Sequence, residues 1–436
     1  MSLISHFFAS FGVSFLIYKL ISVSVATFGL IAIYYFIKEV ANKRVALLTT
    51  FLSALSFWYL VWARLGNYNI LTPIITALMM YFFITYIKKQ TIKWLTLSIF
   101  TSCLGLFTYA GIFLLPFILL ALLLVEMVIR KKALNGKRLI AIIFLFLPGF
   151  LLFSFLVFHD LNNFTNGYIG TKLFDSEAST NEIVSRILVN VGRTITMLHV
   201  EGDIVFRWNI SKAPLLDWLS GIFFIIGFIY CIIKEKKFLP YLLIPLLLLP
   251  IPSILPSHPP VEIPSSSRTM PIIPFVFLFV AYGVDYFIRF IKERLGTMWG
   301  WVALAVSLLL ISFLNLYNYF VLYPKQLPNK NVSFGREIAE YIDTQPISTP
   351  VYLASLGWGE WGQPSSDSIY YSLKNKKRIL VNGLPSCNES SRQSFIVILD
   401  PTNIGQVDAI KKCYPYAKAG SHETLNQMVF RSLINQ

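Results

Sequence analysis

The chain has 436 residues, 56% of them hydrophobic and 14% charged, with a formal net charge of +15. That balance is far from the one soluble domains show, and the expected fold class is a polytopic α-helical membrane protein with a small carboxy-terminal α/β domain. The charge could suit nucleic acid, yet 17 of the 37 Lys and Arg lie in five short connectors between apolar runs, the pattern of a positive-inside membrane protein rather than a nucleic-acid footprint.

Ten apolar segments are candidates to cross a hydrocarbon core of about 30 Å at about 1.5 Å per residue. They are 16–37, 45–62, 70–87, 94–108, 111–129, 139–158, 216–233, 239–255, 270–290 and 299–323. The basic connectors, such as Lys38 to Arg44, Lys88 to Lys93 and Lys234 to Lys237, recur at every second turn and are expected in the cytoplasm. Loops 63–69, 109–110, 159–215 and 255–269 then face outward, and residues 324–436 follow them. On this count the segment 16–37 runs inward from the outer face. No basic n-region or cleavage site precedes it, so a further helix is expected upstream of Met1.

In the first span Lys19 is placed to snorkel. The second ends in FWYLVWARLGNYN, where Trp58, Tyr59 and Trp62 read as an interfacial belt and Arg64 as either an anchor or a phosphate ligand. Tyr109 falls at headgroup depth between the fourth and fifth spans. Glu126 is within i,i+4 reach of Arg130, which favours a local ion pair. Asp160 closes the sixth span, as a general base or as a helix-end polar residue. Beyond it, Ile183, Ile187, Leu188, Val191, Ile195 and Leu198 keep helical spacing and suggest a helix lying in the interface.

The stretch GDIVFRWNISKAPLLD carries Asp203, Arg207, Asn209 and Lys212 at a membrane boundary, either as part of an outer cavity or as a plain connector. Nine prolines between Pro245 and Pro274 forbid regular helix, so this region is expected to wall a wet cavity. Its ionisable groups are His258, Glu262 and Arg268.

Two domains are expected, 1–323 in the membrane and 324–436 outside it. In the second, FGREIAEYI, DSIYYSL and IGQVDAIKKC read as helices, and PVYLAS, RILVNG, FIVILD and ETLNQMVFRSL as strands of a small α/β sheet. It has neither a phosphate-binding Gly loop nor Cys/His metal spacing, which suits a lid or docking module. Cys387 and Cys413 could pair there, while Cys103 and Cys231 read as packing residues. The triplets at Asn163, Asn209, Asn331 and Asn388 face outward.

The residues alone therefore point to an outward cavity in which Arg64, Arg207, Arg268, Lys212 and His258 meet an anionic lipid phosphate, lined also by Tyr109, Asn209 and Glu262. Four stretches, SFWYLVWARLGNYNILTPI, GLFTYAGIFLLP, GDIVFRWNISKAPLLDWLSGIFFIIG and ILPSHPPVEIPSSSRTMPIIPFVFLFVAYGV, add a resemblance. In this order they resemble the integral-membrane glycosyltransferases of the C superfamily, in the branch of the protein O-mannosyltransferases, family 39 enzymes and aminoarabinose transferases.

The resemblance implies an inverting transfer of a sugar from a polyprenyl-phosphate donor to a protein, lipid or glycan acceptor on the outer face of the plasma membrane. Such chemistry needs a carboxylate base and cations to steady the departing phosphate. The family places its base in a first outer loop, and here no acid precedes Glu39. Asp203 and Asp160 are the substitutes the chain offers. No cofactor is called for, though a divalent cation on the phosphate is left open. The alternative is a non-catalytic binder or transporter of lipid-linked saccharides.

Overall fold

The structure, a computed structural model, describes residues 15–130, 136–159, 179–255, 263–327, 332–354, 366–387, 394–401, 404–424 and 426–435. Asp160, His258, Glu262, Asn163, Asn331 and Asn388 lie outside the described residues. The chain forms two compact units, one made mainly of Lys19–Tyr323 and the other mainly of Pro324–Gln436.

The first unit is helical: α1 (Phe15–Val40), α2 (Lys43–Leu55), α3 (Phe57–Arg64), α4 (Leu71–Lys89), α5 (Ile92–Gly105), α6 (Leu115–Arg130) and α7 (Gly136–His159). After these come α8 (Thr180–Thr196), α9 (Trp218–Lys234), α10 (Leu239–Leu248), α11 (Ile273–Leu295) and α12 (Thr297–Tyr317). Among the described residues four helices are long and apolar enough to cross a membrane: Lys19–Val40, Tyr68–Lys89, Met270–Leu295 and Thr297–Gln326. The bent pair α2 and α3 adds a fifth if it counts as one span. This makes the chain a multi-pass membrane protein.

Of the ten expected spans, four coincide with these helices and a fifth with the bent pair. Four of the others fall on apolar helices of 10–17 residues, and the sixth falls on α7, a helix of 24 residues. At about 1.5 Å per residue, the 14 residues of α5 reach about 21 Å against a core of about 30 Å. Part of the run 94–108 forms turns instead, at Leu106–Thr108 after α5.

The break between α2 and α3 has a local cause. Ser56 takes an extended ψ of 138°, donates its hydroxyl to the Ser53 carbonyl at 2.9 Å and accepts the Tyr59 N–H at 3.2 Å. It thus ends one helix and caps the next, and the axes turn by 59°. The freed N–H of Phe57 donates to Asn315 Oδ1 at 2.8 Å. The bend carries Trp58, Tyr59 and Trp62 into the interior, where each is at most 2% exposed. They are core residues, not the interfacial belt expected from sequence, and the Tyr59 hydroxyl donates to the Ala26 carbonyl at 2.7 Å.

The centre of the unit is Met270–Leu295, whose most apolar stretch is 89% buried, against 17% for Thr297–Gln326. Two glycines let α11 and α9 approach. A Cβ on Gly227 would stand 1.8 Å from the Phe279 carbonyl oxygen, and one on Gly283 would stand 2.0 Å from that of Phe223. Small residues at a crossing gain dispersion contact where lipid offers no hydrophobic drive between helices. Asp285 on α11 holds Arg44 at 2.9 Å and Arg289 at 3.0 Å. Glu126 accepts from the Tyr241 hydroxyl, so it joins α6 to α10 in addition to any contact with Arg130, whose side chain lies outside the described residues.

The second unit is a five-stranded mixed sheet with order β2-β1-β3-β5-β4. Its strands are β1 (Val351–Leu353), β2 (Leu380–Asn382), β3 (Phe395–Leu399), β4 (Lys418–Thr424) and β5 (Gln427–Asn435). Strand β1 runs parallel to β2 and β3, and β5 antiparallel to β3 and β4. The central FIVIL is buried on both faces, as an unbroken apolar run should be. Helices α13 (Phe334–Asp343) and α14 (Ser366–Ser372) cover one face, through Ile338, Ile342 and Ile369, and α15 (Ile404–Cys413) covers the other, through Val407 and Ile410.

One strand assignment is corrected. ETLNQMVFRSL is not a single strand: Asn426, at φ 58°, turns the chain, so Glu423 and Thr424 finish β4 and Gln427 starts β5. Strand β4 escapes a hydrophobic reading because KAGSHET is polar and sits at the sheet edge.

Candidate functional site

Helix α3 touches both irregular segments of the membrane unit. Trp58 and Trp62 are one turn apart on it and share a face. The Trp58 indole donates to the Ser266 carbonyl at 3.0 Å, and Trp62 stacks on Trp208 with centroids 5.5 Å apart. At its carboxy end Arg64 lies over the rings of Tyr319 and Tyr323, at 5.6 and 5.4 Å. The Tyr323 hydroxyl in turn donates to the Arg207 carbonyl.

The loop 202–213 closes on itself. The Gly202 N–H donates to the Lys212 carbonyl and the Lys212 N–H to the Asp203 carbonyl, both at 3.0 Å. The Asn209 amide bridges the carbonyls of Asp203 and Ala213, each at 2.8 Å. Only Gly fits at 202, since a Cβ there would stand 2.1 Å from the Ala213 oxygen.

Asp203 ties this loop to the proline-rich segment. It is 1% exposed, and its Oδ1 accepts the Val205 N–H at 2.9 Å. Its Oδ2 accepts the Trp208 indole at 2.9 Å, the Ser266 N–H at 2.7 Å and the Ser266 hydroxyl at 2.9 Å. Burial raises its carboxyl above the ordinary carboxylate range, and the four donors pull the other way. Next to it runs a chain of hydroxyls: Ser265 and Ser267 are 2.9 Å apart, and Ser267 meets the Tyr109 hydroxyl at 2.9 Å. The Thr269 hydroxyl donates to the Ser265 carbonyl at 2.7 Å. Regular hydrogen bonding is lost through this proline-rich stretch, and serine and threonine hydroxyls replace part of it.

The expected residues therefore divide. Arg64 and Arg207 are joined through Tyr323, and burial lowers the pKa of the Arg207 guanidinium, which still leaves it charged. Arg268 follows the serine run and its backbone packs against Gly111, where a Cβ would stand 2.9 Å from the Arg268 oxygen. Tyr109 is in the network. Asn209 is 1% exposed and staples the loop instead of lining an open cavity. Lys212 points elsewhere, 3.3 Å from Glu201. Asp203 does not suit a general base, because its oxygens are enclosed by four donors. Cys387 and Cys413, in the second unit, form a disulfide with a Cα–Cα distance of 5.4 Å. Among the described residues no group of three or more His, Cys, Asp and Glu could hold a metal ion.

Sequence reasoning missed Trp58, Trp208, Tyr323 and the three serines as parts of one network. A signal was present in SSSRT, four hydroxyls and a cation between apolar runs.

Residues 2–154, about a third of the chain, match the sequence model of the family described as dolichyl-phosphate-mannose-protein mannosyltransferase. Over that stretch the chain resembles a protein mannosyltransferase. No curated protein matches it. Among solved structures, ArnT from Cupriavidus metallidurans in the apo state is similar at 10% identity and TM-score 0.45, over 96% of this chain and 83% of that one. The same protein bound to undecaprenyl phosphate is similar at 10% identity and TM-score 0.45, over 96% and 84%. The apo oligosaccharyltransferase from Archaeoglobus fulgidus is similar at 12% identity and TM-score 0.47, over 91% of this chain and 60% of that one. Identity at this level speaks for neither reaction nor substrate.

Proposed function

We propose that this protein is a membrane glycosyltransferase that moves a sugar from a polyprenyl-phosphate-linked donor to an acceptor on the outer face of the membrane, with inversion. The observation that carries this reading is the match of residues 2–154 to the mannosyltransferase family, because those residues include α3 and Tyr109, which hold the serine loop. In this reading Arg64, Arg207 and Arg268 steady the departing phosphate, since Arg presents a fork of donors that a phosphate can accept. Tyr319 and Tyr323 keep Arg64 in place by covering its guanidinium.

The orientation belongs to the same proposal. The positive-inside pattern puts the second unit outside, and its disulfide suits an oxidising compartment. A cysteine introduced at Ser366 should react with an impermeant maleimide in intact cells; reaction only after permeabilisation would reverse the orientation.

The function is tested with a polyprenyl-phosphate sugar and the purified chain in nanodiscs. Arg64→Ala, Arg207→Ala and Arg268→Ala should each weaken donor binding by about tenfold, the worth of one charge-assisted contact. Unchanged affinity in all three would sink the reading. Donor binding without any transfer would favour the binder or transporter, a second reading that the enclosed carboxylate of Asp203 supports.

A further inference from the structure

A cavity of about 260 Å³ opens beside the serine loop, lined by Arg193, Thr196, Glu201, Lys212 and the apolar pair Ile263 and Pro264. Arg64, Arg207 and Arg268 are not among its lining residues. The charges on its described residues do not balance. Among the described residues Glu201 is the only acid in the wall and is engaged by Lys212 at 3.3 Å, which leaves Arg193 without an acidic partner among them.

Lys212 is held in a conformation that lysine seldom takes. Its φ is 65°, in the left-handed region where Gly and Asn are at ease and a Cβ meets the backbone. Two backbone hydrogen bonds to Gly202 and Asp203 hold it there, and the Asn209 staple closes the loop around it. Strain of this kind persists where the surroundings over-determine it, commonly at ligand sites. Here its effect is to present an ammonium at the cavity wall.

The direction of the cavity follows from α8. Val184, Leu188 and Ile195 form an exposed apolar stripe along that helix, at 51%, 65% and 69% exposure. At about 100° per residue, Arg193 lies almost half a turn away from it and Thr196 a little over a quarter turn, on a side that also carries the half-exposed Val189. In a membrane protein the stripe is the face for acyl chains, so Arg193, almost opposite it, opens toward water and headgroups. The apolar wall, Ile263 and Pro264, leads straight into Ser265, which puts a bound group next to the network around Asp203.

We propose that this cavity is a second anion subsite, which takes a phosphate-bearing group of the acceptor through Arg193 and Lys212. An Arg fork and a Lys point charge suit a phosphate monoester, while the Thr196 hydroxyl is spent on the Gly192 carbonyl of its own helix at 2.9 Å. Assignment of the group to the acceptor rests on the transferase reading; the binding itself does not.

The test titrates glycerol 1-phosphate into the full chain held in phosphatidylcholine nanodiscs, by calorimetry. The wild type should bind, and Arg193→Gln and Lys212→Asn should each weaken binding by about tenfold. Asn tolerates the left-handed backbone, so the second variant removes the charge and keeps the turn. Glu201→Gln should tighten binding several-fold by releasing Lys212. A second arm repeats the titration in nanodiscs containing phosphatidylglycerol: loss of the signal assigns the site to a lipid headgroup, and its survival assigns it to a soluble phosphate. Binding unchanged in both cation variants, or no binding by the wild type in either nanodisc, overturns the proposal. Both variants should keep wild-type affinity for the polyprenyl-phosphate donor, which separates failure here from failure of the transferase reading.

Discussion

At the residue scale the decisive group is Asp203, whose charge is balanced by four hydrogen-bond dipoles instead of a cation. Asp203→Ala would leave the Trp208 indole and the Ser266 N–H buried without acceptors, at about 1–3 kcal/mol each. A fall of about 3 kcal/mol or more in the stability of the membrane unit is expected, read as a lower melting temperature in detergent. Asp203→Asn keeps the shape and part of the acceptance, so its melting loss should be smaller and any loss of transfer should follow it. An Asn variant that melts like the wild type yet transfers more than 100-fold slower would instead restore the general base. The sequence showed that Asp203 is a carboxylate in a charged loop; it could not show the burial, because the donor that encloses it, Ser266, is 63 positions away.

At the element scale the crossing of α9 and α11 depends on having no side chain at Gly227 and Gly283. Both contacts would be with backbone carbonyls, which cannot swing aside. Gly227→Ala or Gly283→Ala should cost about 1–3 kcal/mol by overpacking, measured by thermal unfolding. A neutral result would mean that the helices can part without loss. Long apolar runs made most helices legible in the sequence, since burial in lipid or protein requires an apolar surface. The break at Ser56 was not legible, because the run FLSALSFWYLVWA is broken only by two serines, one of which both ends and starts a helix. The hairpin at Asn426 was hidden for the opposite reason, as a polar edge strand has no hydrophobic alternation to read.

At the scale of the whole molecule the change of composition near residue 323 follows a change in what holds each unit together. The membrane unit relies on helix crossings and a few buried polar ties, while the second relies on a small sheet and a covalent link. The Cys387–Cys413 bond closes 26 residues of sequence, and the Tyr414 hydroxyl also donates to the Ser386 carbonyl at 2.7 Å. Cys387→Ser should destabilise the second unit by about 2–4 kcal/mol, seen in the full chain as earlier proteolysis after position 323 on warming. Equal protease resistance with and without the bond would show that the sheet suffices. Ser266, meanwhile, gives its carbonyl to Trp58 and its N–H and hydroxyl to Asp203, so three distant parts of the sequence share one residue. Their substitutions will not act independently: homologues are free to drift there only in concert, and a change tolerated in one genetic background will be lethal to the fold in another.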